Sequence, residues 1–187
     1  MNKRKVILSM QMSLDGFVAG PGDEMDWIVS SDGEWTEMFK DLQSVDTFLL
    51  GRKMYPGYAG YWRSALTDPS APADAVKFAR IADKTPHIVF THGDFKPDWE
   101  NTRVSHDPVK EIDQLKKQEG KDIMVWGGAK LASGLINLGL IDEYRIALNP
   151  TLLGSGKSLF GDLKKRNTLK LVDARTLSSG LIILRYR

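Results

Sequence analysis

The sequence predicts an α/β fold with three layers: a central, mostly parallel sheet with helices on both faces, extended by a C-terminal antiparallel hairpin. Two observations lead to this prediction. Short apolar runs alternate along the chain with amphipathic stretches of helical length, as in βαβ units. Near the C-terminus, Thr168–Leu177 and Leu181–Arg187 flank the turn sequence Ser178-Ser179-Gly180, which is typical of a hairpin at a sheet edge.

The elements follow one another in a regular order. The first strand, Val6–Leu14, stops at Asp15-Gly16 and leads into a loop, Ser13–Asp26. Apolar residues then recur at helical spacing from Asp32, which we expect to be the N-cap of an amphipathic helix. The later elements are a strand Thr47–Leu50, a helix near Pro72–Asp83, a strand His87–Thr91, a short strand near Asn101–Val104, a helix opened by Asp107-Pro108, a strand Ile123–Trp126, a helix Ala129–Leu138 and a strand around Tyr144–Leu148.

Length and composition limit the classes of function. Residues 1–187, 42% of them hydrophobic, fit a single domain with one core. The net charge of +2 is spread along the chain, with no basic run longer than Lys164-Lys165-Arg166, so no nucleic-acid surface is predicted. The absence of cysteine excludes disulfides and thiolate ligands and fits a cytoplasmic protein. The apolar stretch Val6–Met12 is too short to predict a signal peptide or a membrane span.

Two strands end in glycine where a helix begins, and this pattern suits a dinucleotide. Thr47–Leu50 runs into Gly51-Arg52-Lys53-Met54-Tyr55, and Ile123–Trp126 runs into Gly127-Gly128-Ala129. Glycine lets a phosphate approach the backbone, and the helix start offers free N–H groups beside the cations of Arg52 and Lys53. Each junction alone is equally compatible with a plain tight turn. Together they favour binding of a dinucleotide at the carboxyl edge of the sheet.

A third glycine-rich segment is misleading. Gly154-Ser155-Gly156-Lys157-Ser158 resembles the end of a phosphate-binding P-loop, but the full pattern requires glycine where this chain has Thr151. The segment also follows Asn149-Pro150 rather than a buried strand. Nucleotide hydrolysis is therefore not predicted.

The candidate catalytic residues, Ser13 and Asp15, follow the first strand. Asp15-Gly16 would direct a carboxylate toward the carboxyl edge of the sheet, although Asp-Gly also simply forms turns. Aromatic side chains, among them Trp27 and Tyr58, could line a pocket for a planar ring, but aromatic residues at helical spacing more often belong to a core. The histidines lack metal-ligand spacing, so no metal is predicted.

Taken in order, these motifs resemble the dihydrofolate reductase-like superfamily, and within it the riboflavin-biosynthesis reductase branch. The resemblance covers nearly the whole chain. It rests on Ser13-Leu14-Asp15-Gly16-Phe17-Val18-Ala19, on Gly51-Arg52, on Gly127-Gly128-Ala129-Lys130-Leu131 and on Gly139-Leu140-Ile141-Asp142-Glu143 with Pro150 and Leu153-Gly154-Ser155-Gly156 after it. The last run also explains the false P-loop.

The resemblance implies NADPH as cofactor and a single dihydrofolate reductase-like domain. In the family, the two glycine turns hold the NADPH phosphates, a residue after the third strand meets the adenosine, and the loop after the first strand covers the nicotinamide. By position, the implied cofactor-binding residues are Val18, Ala19, Gly51, Arg52, Lys53, Met54, Thr91, His92, Gly127, Gly128, Ala129, Lys130 and Leu131.

The residues that would name the substrate depart from the family patterns. Dihydrofolate reductases carry a pterin-binding acid on the first helix, where the nearest residues here are Glu34 and Trp35. The riboflavin enzymes typically carry an acid before Gly-Gly, where this chain has Trp126. With Asp15, Trp27 and Tyr58, Trp126 is an expected substrate-binding residue.

Three functions therefore stay open. The leading one is an NADPH-dependent reduction of a C=N or C=O bond in a small heterocyclic or sugar-phosphate-like substrate, as by 5-amino-6-(5-phosphoribosylamino)uracil reductase, with Asp15 orienting it or relaying a proton. The alternatives are a true dihydrofolate reductase and a non-catalytic nucleotide-binding protein on the same fold. We also expect a homodimer, because Leu181-Ile182-Ile183-Leu184 places an aliphatic run at a sheet edge and riboflavin-type reductases commonly dimerise. In the alternative interpretation, helices of the same chain cover both faces of that run.

Overall fold

A computed structural model describes residues 3–187, through which an eight-stranded sheet runs. No helix among these residues is long and apolar enough to cross a membrane. The strands are β1 (Val6–Ser13), β2 (Phe17–Ala19), β3 (Val45–Gly51), β4 (His87–Phe90), β5 (Thr102–Ser105), β6 (Asp122–Gly127), β7 (Glu143–Asn149), β8 (Lys157–Ser158), β9 (Leu171–Thr176) and β10 (Ile182–Tyr186). The helices are α1 (Asp32–Leu42), α2 (Tyr55–Ala65), α3 (Ala73–Lys84), α4 (Pro108–Lys117) and α5 (Ala129–Asn137).

The strand order of the large sheet is β5-β4-β3-β6-β1-β7-β10-β9. All neighbours from β5 to β7 pair in parallel, whereas β10 pairs antiparallel with both β7 and β9. Gly180, with φ of +84°, forms the turn of the β9–β10 hairpin. The predicted fold class, a mostly parallel sheet with a C-terminal antiparallel hairpin, is therefore confirmed.

The two faces of the sheet carry separate apolar cores, because successive strand residues point in opposite directions. On β3, Leu49 belongs to the core under α4 and α5, which includes Ile112 and Leu135. Its neighbours Phe48 and Leu50 belong to the core under α2 and α3, which includes Phe78. Helices therefore cover both faces, as the prediction of three layers requires.

Helix α1 packs on the C-terminal half of the sheet through charged side chains. The buried Asp41 pairs with Arg145 on β7 and with Arg185 on β10, each at 2.7 Å, and Glu37 pairs with Arg175 on β9 at 2.9 Å. Burial raises the pKa of Asp41, and the two arginines oppose that rise. Because an unpaired buried charge is costly, these pairs determine where α1 lies.

Several local predictions need correction. The N-cap of α1 is Ser31 and not Asp32, because Ser31 is extended (φ −150°, ψ 154°) and its side chain accepts from the backbone N–H of Glu34. Strand β1 ends at Ser13, one residue before the predicted end. The short antiparallel pair of β2 with β8 was not predicted; it joins the loop after β1 to the segment that resembles a P-loop.

Candidate active site

The two glycine junctions converge at the carboxyl edge of the sheet. β3 and β6 are neighbours, and Leu50 lies opposite Gly127 in their register. A Cβ on Gly51 would lie 3.3 Å from the backbone nitrogen of Gly128 and 3.5 Å from Cβ of Leu131. Gly127, with φ of +112°, is joined to Gly128 by a cis peptide bond, and a Cβ on it would lie 3.4 Å from Sδ of Met54. The junctions thus form one surface made of backbone.

Two helices begin at this surface without a side-chain cap. α2 starts after Met54 and α5 starts at Ala129 after Gly128, and neither N-cap side chain bonds the helix. In contrast, Ser31 caps α1 and Asp107 caps α4. The first N–H groups of α5 and the dipoles of both helices are therefore available to an anion, whereas Pro56 in the first turn of α2 has no N–H group. Exposed cations from the predicted cofactor set surround them: Arg52, Lys53 and Lys130.

A depression of about 380 Å³ lies beside this surface, past the end of β4. The guanidinium of Arg52 lies over the ring of Phe95, 5.7 Å from its centroid. Nδ1 of His106 donates to the carbonyl of the buried Thr91 at 2.9 Å, and His92 is exposed next to it. The depression is lined by Asp94, Phe95, Lys96, Val104 and His106. The sequence reasoning missed Phe95 and His106, since a lone aromatic and a lone histidine in a loop carry no signal.

Ser13 and Asp15 hold the loop after β1. Ser13 is fully buried, and its hydroxyl donates to Asp15 at 2.6 Å and accepts from the backbone N–H of Phe17 at 2.9 Å. The Asp15 carboxylate also accepts from the N–H groups of Leu153 at 3.0 Å and Gly154 at 2.7 Å. The hydrogen bond from Ser13, followed by that from Gly154, lowers the pKa of Asp15. Asp15 thus holds Leu153 and Gly154 against the loop through its carboxylate. A catalytic role for Ser13 and Asp15 stays a prediction.

The loop that Asp15 anchors is fixed again further along. Val18 lies in the apolar core, and Ala19 is also buried. Ala19 pairs with Lys157 in the small β2–β8 sheet, and Lys157 forms an ion pair with Asp23. Any side chain on Gly156, with φ of +145°, would collide with the carbonyl of Ala19. The loop predicted to cover the nicotinamide is therefore closely fitted against residues 151–158.

The expected substrate-binding aromatics occupy different environments. Tyr58 is buried in the core of α2 and α3, with its hydroxyl 3.1 Å from Nε2 of His87, so it does not line an open pocket. The indole of Trp27 donates to the carbonyl of Glu24 in the loop before α1. Trp126 packs edge-on against Phe48 in the same core, while its indole N–H is buried and has no partner among the described residues.

Glu34 is the acid that the structure brings to this edge. It projects from α1 and its Oε1 accepts from Nε2 of Gln11 on β1. Burial raises the pKa of Glu34, and the hydrogen bond from Gln11 opposes that rise. Oε1 of Gln11 in turn accepts from Asn149, which ends β7. The sequence left the choice between Glu34 and Trp35 open; in the structure Glu34 contacts Gln11 on β1, whereas Trp35 packs against the core of α2 and α3.

Comparison with known proteins places the chain in a family. The model of the RibD C-terminal domain matches residues 4–183. The uncharacterized protein YyaP of Bacillus subtilis (strain 168) is 36% identical over 187 residues, which cover 100% of this chain and 96% of YyaP.

Two solved structures share the fold. The deaminase/5-amino-6-(5-phosphoribosylamino)uracil reductase of Thermotoga maritima is 19% identical with a TM-score of 0.70, over 99% of this chain and 56% of that one. Dihydrofolate reductase from Enterococcus faecalis, complexed with NADP(H), is 15% identical with a TM-score of 0.64, over 97% of this chain and 95% of that one. With its mostly parallel sheet and the family match along nearly its whole length, the chain belongs to the RibD C-terminal domain family.

Proposed function

We propose that the protein is an NADPH-dependent reductase that transfers hydride to a C=N or C=O bond of a small heterocyclic or sugar-phosphate-like substrate. The observation that carries this proposal is the convergence of Gly51 with Gly127-Gly128 at the starts of two helices that lack side-chain caps. Such a surface suits a pyrophosphate, which needs close backbone approach and positive potential.

The residues around this surface fit the parts of a dinucleotide. The lack of a side chain on Gly51 lets the end of β3 approach the start of α5 closely, and Gly128 leaves the open room that a phosphate needs. Arg52 and Lys53 supply charge for the ribose phosphate that distinguishes NADPH from NADH. The depression beside Arg52 suits the adenosine end. When bound, NADPH supplies the hydride.

Glu34 suits the proton that must accompany the hydride. A half-buried carboxyl whose pKa is raised retains its proton closer to neutral pH than an exposed carboxyl does. Reduction of C=N or C=O needs one proton on the nitrogen or oxygen once carbon has received hydride. Glu34 would give that proton. Ser13 and Asp15 would hold the covering loop.

The proposal is tested by measuring NADPH oxidation with 5-amino-6-(5-phosphoribosylamino)uracil, dihydrofolate and simple aldehydes. We expect turnover with a compact heterocyclic or sugar-phosphate-like compound. Turnover of dihydrofolate alone would identify a dihydrofolate reductase. NADPH binding without turnover of any compound would favour a non-catalytic nucleotide-binding protein, and failure to bind NADPH would overturn the proposal.

We also propose that the protein forms a homodimer through the outer face of its C-terminal sheet. Leu181 and Ile183 are buried, whereas Ile182 and Leu184 are half-buried on the opposite face, where Leu184 also packs against the core under α4 and α5. Leu171, 50% exposed, continues that face on the edge strand β9 as the cross-strand partner of Tyr186. Two-fold pairing would cover this apolar surface twice per interface. Light scattering at micromolar concentration would give a dimer mass, and a monomer mass would contradict the proposal.

A further inference from the structure

A chain of hydrogen bonds connects the partly buried backbone N–H group of Val29 to the carboxyl of Glu34. The backbone N–H of Val29 donates to Oδ1 of Asn149 at 2.8 Å. Nδ2 of Asn149 donates to the carbonyl of Ala147 at 3.1 Å and to Oε1 of Gln11 at 2.9 Å. Nε2 of Gln11 donates to Oε1 of Glu34. These residues come from β1, β7, α1 and the loop before α1, so the chain forms only in the folded protein.

The direction of this chain is determined by backbone groups. A backbone N–H can only donate and a carbonyl can only accept, so Val29 and Ala147 together allow one orientation of the Asn149 amide. Asn149 is fully buried, and water cannot replace these partners. Its NH₂ group therefore faces Gln11, which must present its oxygen to Asn149 and its own NH₂ group to Glu34.

We propose that Gln11 and Asn149 are positioning residues that keep Oε1 of Glu34 a permanent acceptor and so leave Oε2 as the atom that holds the proton transferred to substrate. This inference rests on the proposed reductase function. As carbon receives hydride, the O–H bond at Oε2 breaks, a new N–H or O–H bond forms on the substrate, and Glu34 becomes a carboxylate. The Gln11 NH₂ group already donates to that carboxylate, so no amide has to turn during the reaction.

The charged groups near α1 pair with one another, so burial and then the hydrogen bond from Gln11 are the main influences on the pKa of Glu34. Glu37 on the same helix pairs with Lys40 and Arg175, while Arg145 and Arg185 pair with Asp41. Burial opposes ionisation of Glu34, and the hydrogen bonds from Gln11 and from the backbone of Ser31 favour it. Loss of the Gln11 donor therefore leaves burial less opposed, and the pKa of Glu34 rises.

The test is a side-chain ¹³C NMR titration of Glu34, assigned with Glu34→Gln, in the protein without cofactor or substrate. Gln11→Met keeps the length of the side chain and removes the donor. We expect the pKa of Glu34 to rise by about one unit in this variant. Asn149→Asp can still accept from Val29 but cannot donate to Gln11, and we expect a rise in the same direction. Gln118→Met, at an exposed position after α4, is the matched control and leaves the titration unchanged.

The dependence of kcat on pH separates this inference from the proposed function. In Gln11→Met, we expect the pKa seen in the pH profile of kcat to shift in the same direction as the pKa of Glu34 measured by NMR, while the Kd for NADPH stays unchanged. If the pKa of Glu34 is unchanged in Gln11→Met and turnover is intact, the positioning role of Gln11 is overturned and the proposed reductase function stands. A shifted titration in a protein that reduces none of the compounds overturns the proposed function and with it the proton transfer from Oε2. If Asn149→Asp fails to fold, Gln11→Met still decides the outcome.

Discussion

The two ends of the candidate site are formed by different parts of the chain: backbone at one end and side chains at the other. The proposed cofactor end consists of backbone, since Gly51, Gly127 and Gly128 meet where α2 and α5 begin. The proposed substrate end consists of side chains, since Glu34 bonds to Gln11 and Gln11 to Asn149. We therefore expect cofactor binding to be lost when a side chain is added at the cofactor end. At the substrate end, we expect turnover to be lost when a functional group is removed.

The largest effect is expected from adding a side chain at the cofactor end. In Gly128→Val, the new Cβ meets only Cβ of Met54 at 3.8 Å, and φ of −80° suits any residue, so the fold should persist. The branched side chain would occupy the place of the pyrophosphate. We expect the Kd for NADPH, measured by fluorescence titration, to rise by about 100-fold or more.

Gly134→Val, on the same helix α5, is the control for Gly128→Val, because a Cβ there meets nothing within 4 Å. It should bind NADPH like the unmodified protein. Normal NADPH binding by Gly128→Val would show that the glycine junctions are not the phosphate site.

A smaller effect is expected from neutralising the substrate end. Glu34→Gln keeps an acceptor for Gln11 but removes the acidic proton, and we expect kcat to fall by about 100-fold with the Kd for NADPH unchanged. Steady-state kinetics with the best substrate of the panel measures this. Asp32→Asn, an exposed change on the same helix, should leave kcat unchanged. If Glu34→Gln retained full turnover, the proton donor would be another group.

The expected effect that is smallest at neutral pH lies outside both ends, in the acid stability of the core. Burial lowers the pKa of His87 from 6.5 to about 4. The unfolded chain thus takes up a proton before the folded one does, and stability is lost as pH falls from about 6.5 to about 4. This difference is worth about 3 kcal/mol at its maximum.

Urea unfolding across that pH range should show a steeper loss of stability for the unmodified protein than for His87→Asn. Parallel loss in the two proteins would exclude His87 as its source. Binding of NADPH at neutral pH should be unaffected by the substitution, because His87 begins β4 at the edge of the sheet opposite to the glycine junctions.

The difference between the two ends also decides what could be predicted from the sequence. The glycine junctions are local patterns, since a strand, its glycine and the next helix are adjacent in the chain. The structure places Gly51 beside Gly128, and cofactor binding by these residues stays a prediction. The contact of Gln11 with Asn149 joins residues 138 positions apart, and no local pattern announces it.

The position of Glu34 could not be predicted from the sequence for a second reason. Apolar periodicity located α1 through the face that packs against the core of α2 and α3, but it carried no information about the face that buries Glu37 and Asp41 against arginines. Tyr58 shows the opposite error, because an aromatic residue at helical spacing was assigned to a pocket although it lies in the core. The fold class followed from elements that bury apolar faces, and the substrate end did not.

The most direct test of the central claim is the Kd for NADPH and for NADH, measured by fluorescence titration of the unmodified protein and of Arg52→Gln. The account predicts saturable binding of both cofactors, with NADPH bound at least about tenfold more tightly, because a cation paired with phosphate contributes on the order of 1.5 to 3 kcal/mol. Arg52→Gln should reduce that preference and leave the affinity for NADH unchanged. Equal dissociation constants in the unmodified protein, or no binding of either cofactor, would contradict the account.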